Sequence, residues 1–479
     1  MKELYQQVYL FDHYVDIVIL CLACYYRMDT FEVTPISAKV KRMSFRSIRW
    51  ICISILIIPF LLGGRVSRVM SQSATEPGLN CRFGITSPIS PEGIDLRSLG
   101  IGAFLNWNVV GSVTLPEGIE YINVLRLGDR CFDKNDDEVD CTTLSDPRPP
   151  YQKTLDMIKT LVPAHPGMYW IVGNEPDTEY DTQDDLNAEE YANRFFQVAT
   201  RIRSLDPTAR IGFGSIVQPT YIRLKYLDAA WQKLVSLAGD QVSASHLIDF
   251  WAIHSFILNE FPNEWGTGLP PGFEASIDDS LQFSDFAITH SISFLTVRLR
   301  SFRRWMNDHG ERDKPLWITE YGSLLPPQDP PGGPDLENVS DEETRDFMLQ
   351  SFDLMLNASD TDTGLPTDNN HLVQRWFWYS LNDYRWNFGG SLYDPSSNPP
   401  AATILAKSFI SYAPKNKVDP EFHFVGKATM QQEGTNPLKY SINFELSNAG
   451  SSIRQSPKIW IFQNSPQGAL VGEKIVEAV

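Results

Sequence analysis

"WIVGNEPD", residues 170–177, joins an apolar run to four polar or rigid residues. Trp170, Ile171 and Val172 read as a strand built for a core, and Asn174, Glu175, Pro176 and Asp177 follow at once. Asn, Pro and Asp are turn formers, so one reading is a plain turn. The other is a strand that delivers a carboxylate to the mouth of a pocket. "LWITEYGS", residues 316–323, repeats the pattern: an apolar strand, then Glu320, then Gly322. One glutamate at a strand end is ordinary. Two such strands in one chain point to a pair of carboxylates.

Six more apolar runs surround these two. In chain order the eight strands are expected at 82–87, 101–107, 122–128, 168–175, 210–216, 250–256, 316–322 and 375–381. They are continuous runs more than clean alternations, as parallel strands covered on both faces should be. Helices are expected between them. Residues 187–205 open on Asn187 with Glu190 three positions on, and Tyr191, Phe195, Val198, Ile202 and Leu205 form one apolar stripe. Residues 285–309 carry a similar stripe, stopped by Gly310, and 341–357 start from a Ser340/Glu343 capping box. Strands alternating with helices predict an α/β fold, a (β/α)8 TIM barrel over residues 81–413. The first two strands are joined by a short connection, so the opening βα unit is irregular. The competing doubly wound sheet would need a phosphate loop or similar feature at its switch point. The chain has no G-x-G-x-x-G and no Walker-type lysine motif, so no nucleotide cofactor is expected.

Both ends depart from this texture. "WICISILIIPFLLGG", residues 50–64, carries no charge and follows Lys39, Lys41, Arg42, Arg46 and Arg49. A basic stretch before an apolar one is the pattern of a secretory signal. Fifteen helical residues reach only about 22 Å, short of a hydrocarbon core of roughly 30 Å. Residues 1–75 are therefore read as an extension with a signal or anchor segment. Cleavage is expected near "SQSA" (71–74), membrane attachment through 50–64 if uncleaved, and Met43 opens a signal of conventional length. Residues 414–479 begin with a linker and continue as exposed strands, a small β-rich, sandwich-like module.

Charge and cysteines narrow the function. The net charge is −18, although the first 72 residues hold 9 Lys/Arg against 5 Asp/Glu. So acidic a body argues against a nucleic-acid partner, which needs clustered positive charge. An exported chain can form disulfides, and a Cys131–Cys141 bridge would pin the surface loop between them. That loop carries Asp133, Asn135 and Asp137 but lacks the glycine and terminal glutamate of a calcium loop, so no metal is expected.

In a barrel the C-terminal strand ends share one face, and that face carries the site. Glu175 and Glu320, 145 residues apart in sequence, would meet there. Paired carboxylates suit glycoside hydrolysis: one is the acid toward the leaving oxygen, the other attacks or activates water. Arg126 is a charge in an apolar strand, costly to bury unpaired; an acidic site and a structural ion pair both offer it partners. Trp378, with Trp376 on the same side by alternation, and Trp107 are candidate platforms for a sugar ring, with core packing the competing reading.

"GNEPD" on the fourth strand and "ITEYG" on the seventh resemble the signature of clan A glycoside hydrolases. These are retaining (β/α)8 enzymes with glutamates at those two strand ends, and the resemblance spans residues 81–413. It implies a carbohydrate substrate, Glu175 as acid/base and Glu320 as nucleophile. It further implies that Asn174 binds the hydroxyl beside the reacting carbon and that His254 contacts the sugar or the nucleophile. Phe256 stands where a tyrosine is expected, which leaves Tyr321 as a candidate donor to Glu320. Acid and nucleophile are both glutamates, so their surroundings must set their roles.

Overall fold

The computed structural model describes residues 79–415, apart from 89, 134–136, 180–181, 263, 327–338, 384–387, 395 and 398. It also describes the backbone of the strands Asp16–Cys21, Phe422–Thr435, Leu438–Asn448, Lys458–Gln463 and Leu470–Ile475. The apolar segment 50–64 and the proposed cleavage site lie outside the described residues. Among the described residues, no helix is long and apolar enough to cross a membrane.

Eight strands close into a parallel barrel: β1 (Asn80–Thr86), β2 (Ile101–Leu105), β3 (Glu120–Leu125), β4 (Tyr169–Val172), β5 (Arg210–Ile216), β6 (Phe250–His254), β7 (Leu316–Gly322) and β8 (Arg375–Tyr379). Each pairs with its neighbours in sequence, and β8 closes on β1. All eight expected runs are strands, in the expected order. The helices are α1 (Pro150–Ala164), α2 (Ala188–Leu205), α3 (Tyr221–Ala238), α4 (Ile292–Asp308), α5 (Asp341–Asn357) and α6 (Ile404–Tyr412), besides a short turn at Gln241–Ser245. No helix follows β1 or β2 among the described residues, so the barrel opens irregularly as the short connection implies.

Local signals hold the helices where the sequence placed them. The Asn187 side chain accepts from Glu190 N at 3.0 Å, and the Ser340/Glu343 capping box is formed. The exception is the start of α4. Asp285 caps a short 3-10 turn, Phe286–His290, and Ser291 then caps α4 through Phe294 N. Two caps six residues apart divide what the apolar stripe joined.

The core has two layers around the sheet. The outer layer packs Trp376, Trp378, Ile318 and Tyr321 toward Phe347 and Phe352 of α5. The inner layer fills the barrel with Ala103, Leu105, Ile122, Val124, Ile171, Phe250, Ala252, Trp317 and Phe377. Gly84 leaves the space for Phe377, since a Cβ there would come within 2.3 Å of the ring. Inward positions recur every second residue. Extended toward the C-terminal ends, that phase reaches Trp107, Arg126, Glu175, His254 and Tyr379.

The chain divides into two compact units, Pro77–Ser452 and Met1–Glu76 with Ile453–Val479. In the first, Phe422–Thr435 and Leu438–Asn448 form an antiparallel pair. In the second, Asp16–Cys21 runs parallel to Lys458–Gln463, which pairs antiparallel with Leu470–Ile475.

Candidate active site

β4 ends at Val172, three residues before Glu175, whereas the apolar run predicts a strand that continues to the glutamate. Gly173 takes φ +99°, and Glu175 itself is left-handed at φ 43°. A side chain on Gly173 would be strained in that conformation and would meet Tyr191 at 2.8 Å. The turn is held from outside. Asp184, fully buried, accepts from Asn174 N at 2.8 Å, Gly128 N at 3.1 Å and Arg126 Nε at 2.9 Å. Glu175 N donates to Ser215 O at 2.9 Å.

Glu320 reaches the same mouth by a different device. Counting by twos from Trp317 would turn it outward. The register of β7 shifts against β6 between Ile318 and Glu320, and against β8 between Ile318 and Tyr321. This irregularity re-aims the side chain, as bulges beside active sites do. It also sends Tyr321 outward, where its hydroxyl accepts from Ser351 Oγ at 3.2 Å. Tyr321 is therefore not the donor to Glu320.

Trp107 is that donor. Its indole Nε1–H bonds Glu320 Oε1 at 2.5 Å. His254 lies between the two glutamates, with Nδ1 2.9 Å from Glu175 Oε1 and Nε2 3.2 Å from Glu320 Oε1. One oxygen of each carboxylate and a ring nitrogen of His254 lie within 4.8 Å of one another. Glu175 is 7%, His254 1% and Glu320 5% exposed, so the cluster is nearly dry yet open at one side. Burial pushes Glu320 up to about 7; His254, Trp107 and Arg126 oppose that and Glu175 adds to it. Burial pulls His254 down, but the charge of Glu320 and the bond to Glu175 outweigh it and leave the imidazole raised. A ring that bonds one carboxylate and stands 3.2 Å from a second is favoured as imidazolium. Glu175, His254 and Glu320 also have the donor types and spacing to hold a metal ion.

The other expected residues divide. Asn174 is buried beside Glu175, and its amide donates to Gln183 Oε1 at 2.7 Å. Arg126 pairs with Asp184 and the Thr182 carbonyl and keeps a quarter of its side chain exposed. Its charge also lowers the Glu320 carboxyl. Trp378 does not line the mouth. It is fully buried in the outer layer, edge-on to Tyr321 at 5.3 Å, and donates to Gly390 O at 2.8 Å. Trp376 is equally buried, against Phe83. The aromatic from β8 at the mouth is Tyr379, 5.8 Å from Trp107 and 5.9 Å from Phe256 between ring centres.

Sequence reasoning missed Tyr379, Asp184 and the role of Asp177. Tyr379 follows from the inward phase of Phe377, which the sequence alone does not mark. Asp184 lies in a loop with no local signal. Asp177 closes the "NEPD" run inward: it accepts from Val217 N at 3.1 Å and pairs with Arg223, which also binds Glu260 at 2.9 Å. Cys131 and Cys141, which the sequence leaves open as a bridge, form a disulfide with Cα atoms 5.1 Å apart.

The closed eight-strand parallel barrel is the fold that the sequence resemblance implies. No protein-family model and no curated protein sequence matches it. Solved structures similar to it include a GH128 (subgroup VII) oligosaccharide-binding protein from Cryptococcus neoformans, at 14% identity and a TM-score of 0.41, covering 71% of this chain and 95% of that one. A monomeric beta-xylosidase from Caulobacter crescentus CB15 gives 12% and 0.41, covering 81% and 75%. An endo-beta-1,4-mannanase from Thermotoga petrophila gives 13% and 0.35, covering 77% and 84%.

Proposed function

We propose that the protein is a retaining glycoside hydrolase that cleaves O-glycosidic bonds, β-linked ones by the clan A resemblance, in an oligo- or polysaccharide. One observation carries the reading: two carboxylates, from the turn after β4 and from β7, meet across His254 at the C-terminal mouth, oxygens within 4.8 Å. Retaining pairs stand about 5–5.5 Å apart, and inverting pairs about 6.5–9.5 Å. In this reading Glu175 protonates the leaving oxygen as Glu320 attacks the anomeric carbon. Glu175 then takes a proton from water, whose oxygen displaces Glu320 with a second inversion. Asn174 and Arg126 flank the acid, and Trp107 and Tyr379 offer ring faces to the sugar. Export belongs to the same proposal. It rests on the basic-then-apolar stretch at 39–64 and on the Cys131–Cys141 bridge, a bond that persists in oxidising compartments.

The test is a glycan panel with two variants. Glu320→Gln should lose turnover on every substrate the wild type cleaves. Glu175→Gln should keep its first step on a substrate with a good leaving group and stall at the second. Azide, which needs no base, should then release a glycosyl azide of retained configuration. Azide rescue of the Glu320 variant with an inverted product would reverse the roles. Binding of glycans without cleavage by wild type would mean a carbohydrate-binding barrel instead.

A further inference from the structure

We infer that Glu320 attacks through Oε2, and that Trp107 is a positioning residue that holds Oε1 and stabilises the carboxylate when it departs. The inference rests on the retaining-glycosidase reading above. Its geometry is specific to one atom. Trp107 Nε1 donates to Glu320 Oε1 at 2.5 Å, and His254 Nε2 stands 3.2 Å from the same oxygen as its ion-pair partner. Oε2 takes no hydrogen bond among the described residues, and Glu320 keeps 5% of its surface exposed. An oxygen that accepts the indole N–H and faces the imidazole is engaged by the protein. The oxygen left over is the one free to form a bond. The carboxylate is thereby fixed in rotation, as a nucleophile in a near-attack arrangement must be.

The two chemical steps feel Trp107 oppositely. In the first, an Oε2 lone pair forms the bond to the anomeric carbon and the bond to the leaving oxygen breaks, that oxygen taking the proton of Glu175. Glu320 loses its negative charge, so the indole bond weakens on the way to the transition state. In the second, water attacks the same carbon and gives a proton to Glu175. The ester C–Oε2 bond breaks and its electron pair returns to Glu320. Negative charge reappears on Oε1, and the indole N–H meets it already in place, as an oxyanion donor does. Trp107 thus holds Glu320 ionised in the free enzyme and speeds the second step more than the first. Its backbone is unusual in the same way as that of Glu175. Trp107 is left-handed, φ 55°, a conformation few bulky residues adopt. Its ring packs in a mouth cluster with Tyr379, Phe256 and Leu258.

The experiment uses the full chain and an aryl glycoside with a good leaving group. Trp107→Phe keeps an aromatic ring and removes the donor. Site-directed incorporation of 3-benzothienylalanine at 107 keeps the shape of indole without its N–H and stands in if the Phe variant folds poorly. Either change should slow the second step about 10-fold, the worth of one hydrogen bond to a charged group. kcat and KM should fall together, a burst of aryl alcohol should grow, and kcat/KM on its alkaline plateau should change less than 3-fold. The acid limb of kcat/KM should move up by about one pH unit, because the carboxylate has lost a donor. The groups facing Glu320 that set this limb are His254 from β6, Glu175 beyond β4 and Arg126 beyond β3, and none of them is altered. A fall in kcat/KM with the limb unmoved and no larger burst would make Trp107 a sugar platform only and overturn the inference. If Glu320→Gln still turns over the same substrate, the glycosidase reading fails first. If it is dead and the 107 variants leave the burst unchanged, only this inference fails.

Discussion

Replacing Glu320 by Gln should stabilise the fold, and only at neutral and alkaline pH. Burial raises the Glu320 carboxyl from 4.5 to about 7. A raised carboxyl is protonated more readily in the native chain than in the unfolded one. Its contribution is therefore fully present below pH 4.5 and is lost as the pH rises through about 7. The loss is ~2.5 pH units at 1.36 kcal/mol each, or about 3 kcal/mol. Glutamine has nothing to ionise and escapes it. A barrel of roughly 335 residues has an unfolding entropy of about 0.7 kcal/mol per kelvin, so the gain is about 5 °C in Tm. The assay is differential scanning calorimetry of wild type and Glu320→Gln at pH 4 and pH 8. The expected difference is near zero at pH 4 and about 5 °C in favour of the variant at pH 8. An equal shift at both values would show that packing, not charge, separates the two chains. A less stable variant at pH 8 would show that the Glu320–His254 pair outweighs burial. The reasoning would then be refuted, and with it the expectation that kcat/KM falls below about pH 7 as Glu320 takes up a proton.

Two other predictions test placements. Trp378→Ala empties a fully buried site between β8 and α5 and should cost about 3–5 kcal/mol on urea unfolding, with KM unchanged in whatever active enzyme remains; a raised KM at unchanged stability would restore the sugar-platform role. Changing Cys131 and Cys141 together to Ser frees a loop closed over a separation of 10 residues and should cost about 2–3 kcal/mol, or about 4 °C in Tm, read by thermal scan.

The barrel is legible because eight runs of the right length stand in the right order, each too apolar for a loop. Both glutamates are legible because each closes such a run. What the sequence hides is phase. Positions 376–379 of β8 are all aromatic, since the strand is buried on both faces, and nothing polar marks which side meets the barrel interior. Alternation places Trp376 and Trp378 on one side, and that side is the outer one. The same limit hides Tyr379. Asp184 is hidden differently. Its partners Arg126, Gly128 and Asn174 come from two strand ends, and only the closed barrel brings them to one carboxylate.

Several departures from regular strand geometry lie beside the candidate chemistry, while a register shift between β1 and β2, at Asn80–Gly84, lies away from it. Trp107, Glu175 and Ser215 are left-handed without being glycine, and they stand at or just beyond the C-terminal ends of β2, β4 and β5. Each such residue costs on the order of 1–3 kcal/mol and survives only if its surroundings fix it. Here they do. Glu175 is tied through its N–H to Ser215 O and through its carboxylate to His254. Trp107 is tied through its indole to Glu320, and Glu320 is turned inward by the irregularity in β7. A uniform strand would satisfy its own ladder and send alternate side chains to fixed faces. Left-handed residues and the register shifts of β7 against its neighbours and of β5 against β6 instead bring side chains from the ends of β2, β4, β6 and β7 onto a few ångströms of the mouth. A merely structural ion cluster would not need that distortion, because its charges could be paired from regular positions. The strain at Trp107 and Glu175, both in the hydrogen-bonded cluster, therefore weighs on the side of a working site.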